Sequence, residues 1–356
     1  MAATSEGRLG GEDGYGEQLL SADQRAAADS MIREACEDLG WPALAERLFL
    51  PHRSGFIIYH VPGIAARALG HEPSAAAGAV MHVLTASFKM IDWLLDEEDW
   101  PEKETEGEGR LANSAQAVTA VAFRLIDRVS EEEAVRLSIR RELEAMMLPF
   151  CWAQNGSVNP ERRQDVYWRT VNGTTGSLFC FGLSLGAQAA AGPEGALWAP
   201  KLSPLGFGLA RLLQINDDLK DAIKTPEEPD WTGRTLNLAI LYAEAVEHPG
   251  REKLRRCVAE GRALAEIDEM IEILFQSGAV SFCTLSFIGQ YQKALADLAA
   301  AAPPDPTPFE RTLRHLVAPG LFLLEEATGK TADHYLTMDI AAFLERGGAL
   351  EMNRRG

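Results

Sequence analysis

The sequence predicts an all-α protein, and three observations carry that prediction. Apolar residues recur at three- and four-residue spacings through most of the chain, the period of one helix face. Runs that alternate apolar and polar residues, the strand signature, are scarce. Serine and proline signals also punctuate the periodic stretches where helices should start and stop.

In chain order the periodicity predicts helices over about 22–48, 57–69, 74–96, 113–129, 131–152, 160–191, 203–223, 236–247, 251–276 and 281–300. Between His71 and Ser74 a serine N-cap precedes an alanine-rich helix, Trp100-Pro101 stops that helix, and Thr225-Pro226 stops the seventh, because a proline excludes its predecessor from the helical region. Residues 1–20, rich in acids and glycines, read as a loose tail, and 21–300 as one helical domain. AAAAPPDPTP, near residues 299–308, reads as a linker, so 301–356 becomes a linker and C-terminal helical appendage.

Composition excludes several function classes. The chain has 356 residues, 46% of them hydrophobic, enough to bury a core without covalent staples. Its five cysteines include no C-x-x-C pair, so neither a zinc site nor a disulfide framework is indicated, and a reducing cytoplasm fits. The N-terminus lacks the basic and apolar regions of a signal peptide, and no apolar run reaches the roughly 20 residues that span a bilayer. A net charge of -18 argues against nucleic acid, which needs a basic face. Phosphates can still bind if divalent cations lie between them and the carboxylates.

Two acidic clusters carry the chemistry. In SFKMIDWLLDEEDWP, Asp92, Asp96 and Asp99 share one helical face while Ile91, Leu94 and Leu95 turn toward neighbouring helices. In LARLLQINDDLKDAIK, an apolar run from Leu209 to Ile215 leads into Asp217, Asp218 and Asp221, and Gln214, Asp217 and Asp221 lie along one face. Each cluster sits at the C-terminal end of its helix, where the macrodipole makes an added carboxylate cost roughly 0.3–1 kcal/mol unless a cation compensates it. Taken singly, each also reads as a solvated acidic helix end. Together, two aspartate pairs of the same i, i+4 spacing predict a shared metal site. All-oxygen ligands without nearby His or Cys favour magnesium or manganese, and magnesium usually takes part of its shell from substrate phosphates. A diphosphate substrate follows.

On these residues the sequence resembles the trans-isoprenyl diphosphate synthase (polyprenyl synthetase) family of the class I terpenoid synthase fold, over about residues 40–300. NDDLKD, from Asn216 to Asp221, matches the family's second D-D-x-x-D motif, and DWLLD, from Asp92 to Asp96, lies where the first belongs. Between them WRTVNGTTGSLFCFGLSLGAQAAAG is similar to the helix carrying Lys-Thr-Gly, Leu-Phe and Leu-Gly-Ala, and TGRTL, from Thr232 to Leu236, falls where a basic residue precedes Thr-Leu. Trp93 replaces the middle aspartate of the first motif, Thr174 stands in place of the Lys-Thr-Gly lysine, and the Arg-Arg pair and the N-terminal Gly-Lys-x-x-Arg signature are missing; only His52 and Arg53 lie nearby.

The resemblance implies a single large helical bundle around a central cavity and a prenyltransferase that ionises an allylic isoprenoid diphosphate. It also implies magnesium, three ions by the family pattern, with manganese as the alternative, held by Asp92, Asp96, Asp217, Asp218 and Asp221. Asp92, Asp96 and Asp217 would be catalytic. Arg234, Lys220, Lys224, Thr174, Thr175, Gln214 and Gln154 are candidates for the diphosphate or an intermediate. Phe88, Phe179, Phe181 and Phe207 are candidates to line an apolar pocket, with Gly182 and Gly186 keeping a helix face thin for the isoprenoid tail. Phe88, one turn before the first motif, and the small Ser87 suggest a product of medium length. The acceptor is isopentenyl diphosphate or another molecule, and a homodimer is the family expectation. A class I terpene cyclase and a non-catalytic partner subunit are the alternatives; NDDLKDAIK lacks the serine and glutamate of the cyclase motif.

Overall fold

Side-chain caps decide where several of the helices begin. The computed structural model describes residues 19–48, 56–95, 107–156, 161–223, 229–233, 235–328 and 331–338. Its α-helices in order are α1 (Ala22–Asp38), α2 (Leu44–Leu48), α3 (Phe56–Ala68), α4 (Ala75–Leu95), α5 (Glu108–Ile126), α6 (Glu133–Asn155), α7 (Gln164–Val171), α8 (Ser177–Ala191), α9 (Ala199–Ile223), α10 (Leu238–Ala245), α11 (Arg251–Ala259), α12 (Ile267–Gln276), α13 (Ala279–Ala301), α14 (Thr307–Thr328) and α15 (Ala332–Leu336). No strand occurs among the described residues. Ser21 and Gln24 form a reciprocal capping box on α1. Ser74 accepts from the Ala77 amide at the start of α4, as expected from the sequence. Asn237 caps α10 by accepting from Ala239 and Ile240.

The predicted segments hold, with three internal breaks. The 22–48 stretch divides at Gly40 (φ +76°) and the 251–276 stretch at Gly261 (φ +64°), left-handed conformations that end a helix. The 160–191 stretch contains a π-helical turn, Asn172–Gly176, between α7 and α8. The expected stops at Trp100-Pro101 and Thr225-Pro226 lie outside the described residues. No single helix among the described residues is long and apolar enough to cross a membrane.

The chain divides into two compact units. The first comprises residues 1–148, 177–206 and 298–312. In it α4 packs on α5 and α3, α8 on α3, and α1 on α4. Leu19 and Leu20, at the end of the expected tail, are buried in this unit. Its α8 is apolar on nearly every side, as a helix enclosed by others must be. Its buried polar side chains, Ser184 and Gln188, donate to Glu142 on α6 at 2.5 and 3.0 Å.

Burial pushes the Glu142 carboxyl above its ordinary range, against the pull of those two donors. The stability this group contributes is therefore complete below its ordinary value of 4.5 and is lost as pH rises through the raised value in the folded state. Glu142→Gln is accordingly expected to raise the melting temperature at neutral pH and leave it unchanged well below the ordinary value. Thermal melts across that range check this, and an equal change at both ends would contradict it.

The second unit comprises residues 149–176, 207–297 and 313–356. Here α10 packs against α7, α11 and α12, around a core that includes Trp231, Tyr167 and Phe287. Within the expected C-terminal appendage Phe309, Thr312, Leu313 and Val317 are buried.

Candidate functional site

The second aspartate motif, on α9 in the second unit, separates its three carboxylates by burial. Leu212, Ile215, Leu219 and Ala222 form the buried face of this part of α9, and Asp218 falls within it at 1% exposure. Asp217 and Asp221, one helical turn apart on another face, are half-buried. The two Asp218 oxygens accept from Gln214 Nε2 at 2.9 Å and from the Leu238 amide at 2.7 Å. Asn237 Nδ2 donates to the Asp218 main-chain carbonyl at 2.8 Å. The Tyr167 hydroxyl lies close to the same carboxyl without reaching good hydrogen-bond geometry.

Asp230 completes this network. It accepts from Thr235 Oγ1 at 2.6 Å and Asn237 Nδ2 at 2.7 Å. Burial first, and the neighbouring Asp230 second, push the Asp218 carboxyl well above the usual carboxylate range. Asp230 is also raised by burial, while the Asn237 and Thr235 bonds oppose the rise. Two carboxyls this close and this dry disfavour double ionisation.

These contacts give the predicted residues local roles. Asp218, expected as a metal ligand, accepts one hydrogen bond on each oxygen from within the protein, and Gln214, expected at the diphosphate, is one of the donors. Its helical register with Ile215, Leu219 and Ala222 was a visible sign of that inward position. Lys220 is exposed, with Nζ 3.8 Å from Asp221 Oδ1. Lys224 and Arg234 lie outside the described residues.

The first motif is described as far as α4 extends. Asp92 is half-buried near the helix end, and Phe88, one turn earlier, is 6% exposed; Asp96 lies outside the described residues. Thr174 and Thr175 are half-buried in the π turn, where Thr174 Oγ1 donates to the Thr170 carbonyl at 2.9 Å. Such back-bonding explains why a threonine is tolerated there. Gln154 is buried.

The expected pocket aromatics are packed. Phe179 has 0% exposure and Phe181 3%, and Phe207 lies against Gly176, where an added Cβ would meet its ring at 2.7 Å. Gly182 and Gly186 serve helix contact instead of a ligand tail: a Cβ on Gly186 would lie 2.1 Å from the Pro62 carbonyl oxygen of α3. A cleft of about 440 Å³ in the first unit, lined by Arg67, His71, Glu72, Asp305 and Arg311 among others, includes none of the predicted residues.

Among the described residues no three His, Cys, Asp or Glu side chains converge on a common point that would hold a metal alone. The donors that α9 offers are Asp217 and Asp221, both hard carboxylate oxygens. That set fits a divalent cation that keeps waters and completes its shell with phosphate oxygens.

Sequence reasoning missed Arg162. Its Nε donates to both oxygens of Glu244 at 3.1 and 2.9 Å, and its Nη1 reaches the carbonyls of Gly233 and Thr235, each at 3.4 Å. A lone glutamate in the apolar helix LAILYAEA was the available signal, since a buried carboxylate needs a partner.

No protein-family model and no curated protein sequence matches the chain. In structure it is similar to the decaprenyl diphosphate synthase of Rhodobacter capsulatus, with a TM-score of 0.70 at 18% identity, covering 85% of this chain and 99% of that one. The geranylgeranyl pyrophosphate synthase of Lactobacillus brevis gives 0.68 at 15% identity, covering 83% and 96%. A polyprenyl synthase of Caulobacter crescentus, complexed with calcium and isoprenyl diphosphate, gives 0.68 at 19% identity, covering 86% and 97%. The chain has the all-α fold of these prenyl diphosphate synthases.

Proposed function

We propose that this protein is a prenyltransferase of the trans-isoprenyl diphosphate synthase type. It ionises an allylic isoprenoid diphosphate and transfers the prenyl group to isopentenyl diphosphate or another acceptor, with magnesium as its cofactor. The observation that carries this reading is the division of the second aspartate motif on a prenyl synthase fold: Asp217 and Asp221 on one face, Asp218 turned inward as an anchor. A merely solvated helix end has no reason to bury one of its aspartates.

In this reading each aspartate motif holds magnesium, the first through Asp92 and Asp96 and the second through Asp217 and Asp221. When bound, those ions supply positive charge where the departing pyrophosphate develops negative charge. Asp218 binds no ion; it fixes the rotation of α9 so that Asp217 and Asp221 present their oxygens together. The calcium and isoprenyl diphosphate of the Caulobacter crescentus enzyme support a divalent ion and an allylic diphosphate here. Arg234 would complete neutralisation of the pyrophosphate.

Incubation with magnesium and geranyl, farnesyl or geranylgeranyl diphosphate, with and without isopentenyl diphosphate, tests the proposal. Pyrophosphate release that requires the divalent ion is expected, with a longer prenyl diphosphate where isopentenyl diphosphate is the acceptor. Absence of release from every allylic substrate would remove the proposal, and a hydrocarbon product would replace transfer with cyclisation.

A further inference from the structure

We infer that Arg162 is a positioning residue for the second aspartate motif, an inference that rests on the reaction proposed above. The residue stands just before α7, far in sequence from everything it binds. Its side chain, 26% exposed, meets a Glu244 side chain only 10% exposed. Glu244 lies on α10, and the carbonyls of Gly233 and Thr235 belong to the segment leading into that helix. One guanidinium thus joins a helix to the chain before it.

From that segment the bonds continue toward α9. Thr235 and Asn237 hold the two oxygens of Asp230. Asn237 and the Leu238 amide hold Asp218, through its carbonyl and its carboxyl. Asp218 is the chain neighbour of Asp217. A series of hydrogen-bonded residues therefore runs from Glu244 through Arg162, Thr235, Asp230 and Asn237 to Asp218, on the helix turn that carries Asp217 and Asp221.

Charge explains why the series needs a cation. Asp230 acts on Asp218, and Asp221 on Asp230, with like charge, and Arg162 acts on Asp230 in the opposite sense. Shape explains why the cation is arginine. A planar guanidinium donates in several fixed directions at once, whereas a lysine ammonium is a single point on a flexible stem. Gly233, with φ +78°, holds a backbone conformation that presents its carbonyl to Arg162 and that other residues adopt only with strain. Loss of Arg162 would leave Glu244 without this partner and release the carbonyls of Gly233 and Thr235, and with them the restraint that Asn237 and Leu238 place on Asp218.

The test compares wild type with Arg162→Ala, Arg162→Lys and Asp217→Ala. Manganese binding in the presence of inorganic pyrophosphate is followed by electron paramagnetic resonance, and backbone hydrogen exchange is followed over residues 235–241. Removing a partner that orients metal ligands typically weakens metal affinity ~10–100-fold. We expect a loss of about that size in both Arg162 variants, faster exchange in the segment, and unchanged helical circular dichroism. Metal affinity restored by lysine would reduce Arg162 to a charge and overturn the inference. So would wild-type exchange rates in Arg162→Ala, or faster exchange with wild-type metal affinity. If wild type itself binds no manganese with pyrophosphate, or binds it as well after Asp217→Ala, the proposed reaction falls and the positioning role with it, while exchange still decides whether Arg162 tethers the segment.

Discussion

Asp217→Ala is expected to lower pyrophosphate release by about 10³-fold, with the melting temperature and the helical circular dichroism left as in wild type. Removing one fixed group that serves developing charge commonly costs ~10²–10³-fold in rate, and a direct ligand of the ion that bears this charge should lie at the upper end. The fold should tolerate the change because Asp217 is half-buried and on a different face from the packed residues of α9. Asp218→Ala, one position away, should behave in the opposite way. It orphans the buried Leu238 amide, at a cost of about 1–3 kcal/mol, and removes the acceptor of the half-buried Gln214 donor, which costs less. Relief of repulsion from Asp230 offsets part of that cost, so the net expectation is a loss of about 2–3 kcal/mol. Asp218→Asn keeps an acceptor and removes the charge, and should recover most of the stability. Parallel assays and thermal melts on the three variants separate the roles. Equal rate losses in Asp217→Ala and Asp218→Asn would show that the motif is not divided as proposed.

The same helix shows what could be learned from sequence and what could not. Its apolar period located α9, and the i, i+4 spacing placed Asp217 and Asp221 together, because both properties depend only on residues within one turn or two. Asp218 was equally accessible to that reasoning: it follows Ile215 by three residues and precedes Ala222 by four. The D-D-x-x-D pattern drew it instead into the metal set, where family likeness outweighed register. Arg162 was beyond reach, since its contacts with Gly233, Thr235 and Glu244 are 71, 73 and 82 residues away and no period links such positions. The breaks at Gly40 and Gly261 were missed for another reason. Glycine permits a left-handed turn without requiring one, and the apolar spacing ran through both sites. The aromatic side chains are weak site markers because apolar rings satisfy a core as readily as a ligand pocket; Phe179 is wholly enclosed.

Gly186→Ala is the second large effect expected, on stability and not on chemistry. An added Cβ would meet three backbone atoms of Pro62, its oxygen at 2.1 Å and its carbonyl carbon and Cα at 2.6 Å each. Backbone within a helix cannot step aside as a side-chain end can, so α3 and α8 must separate and lose close packing along their shared length. Overpacking of this kind typically costs ~1–3 kcal/mol and sometimes more, and a clash with backbone belongs at or above the top of that range. The gain in helix propensity from Gly to Ala, about 1 kcal/mol, is too small to compensate. Gly182→Ala provides the internal control. There the added methyl would meet the Val61 Cγ1 at 2.9 Å, the Met81 Cε at 3.0 Å and the Val61 Cβ at 3.2 Å, contacts with side chains and not with backbone, so the propensity gain should offset much of the strain. Denaturant unfolding of both variants measures the contrast. A Gly186→Ala protein as stable as wild type would mean that α3 and α8 do not meet at Pro62, and would return the glycine pair to the role of accommodating a ligand.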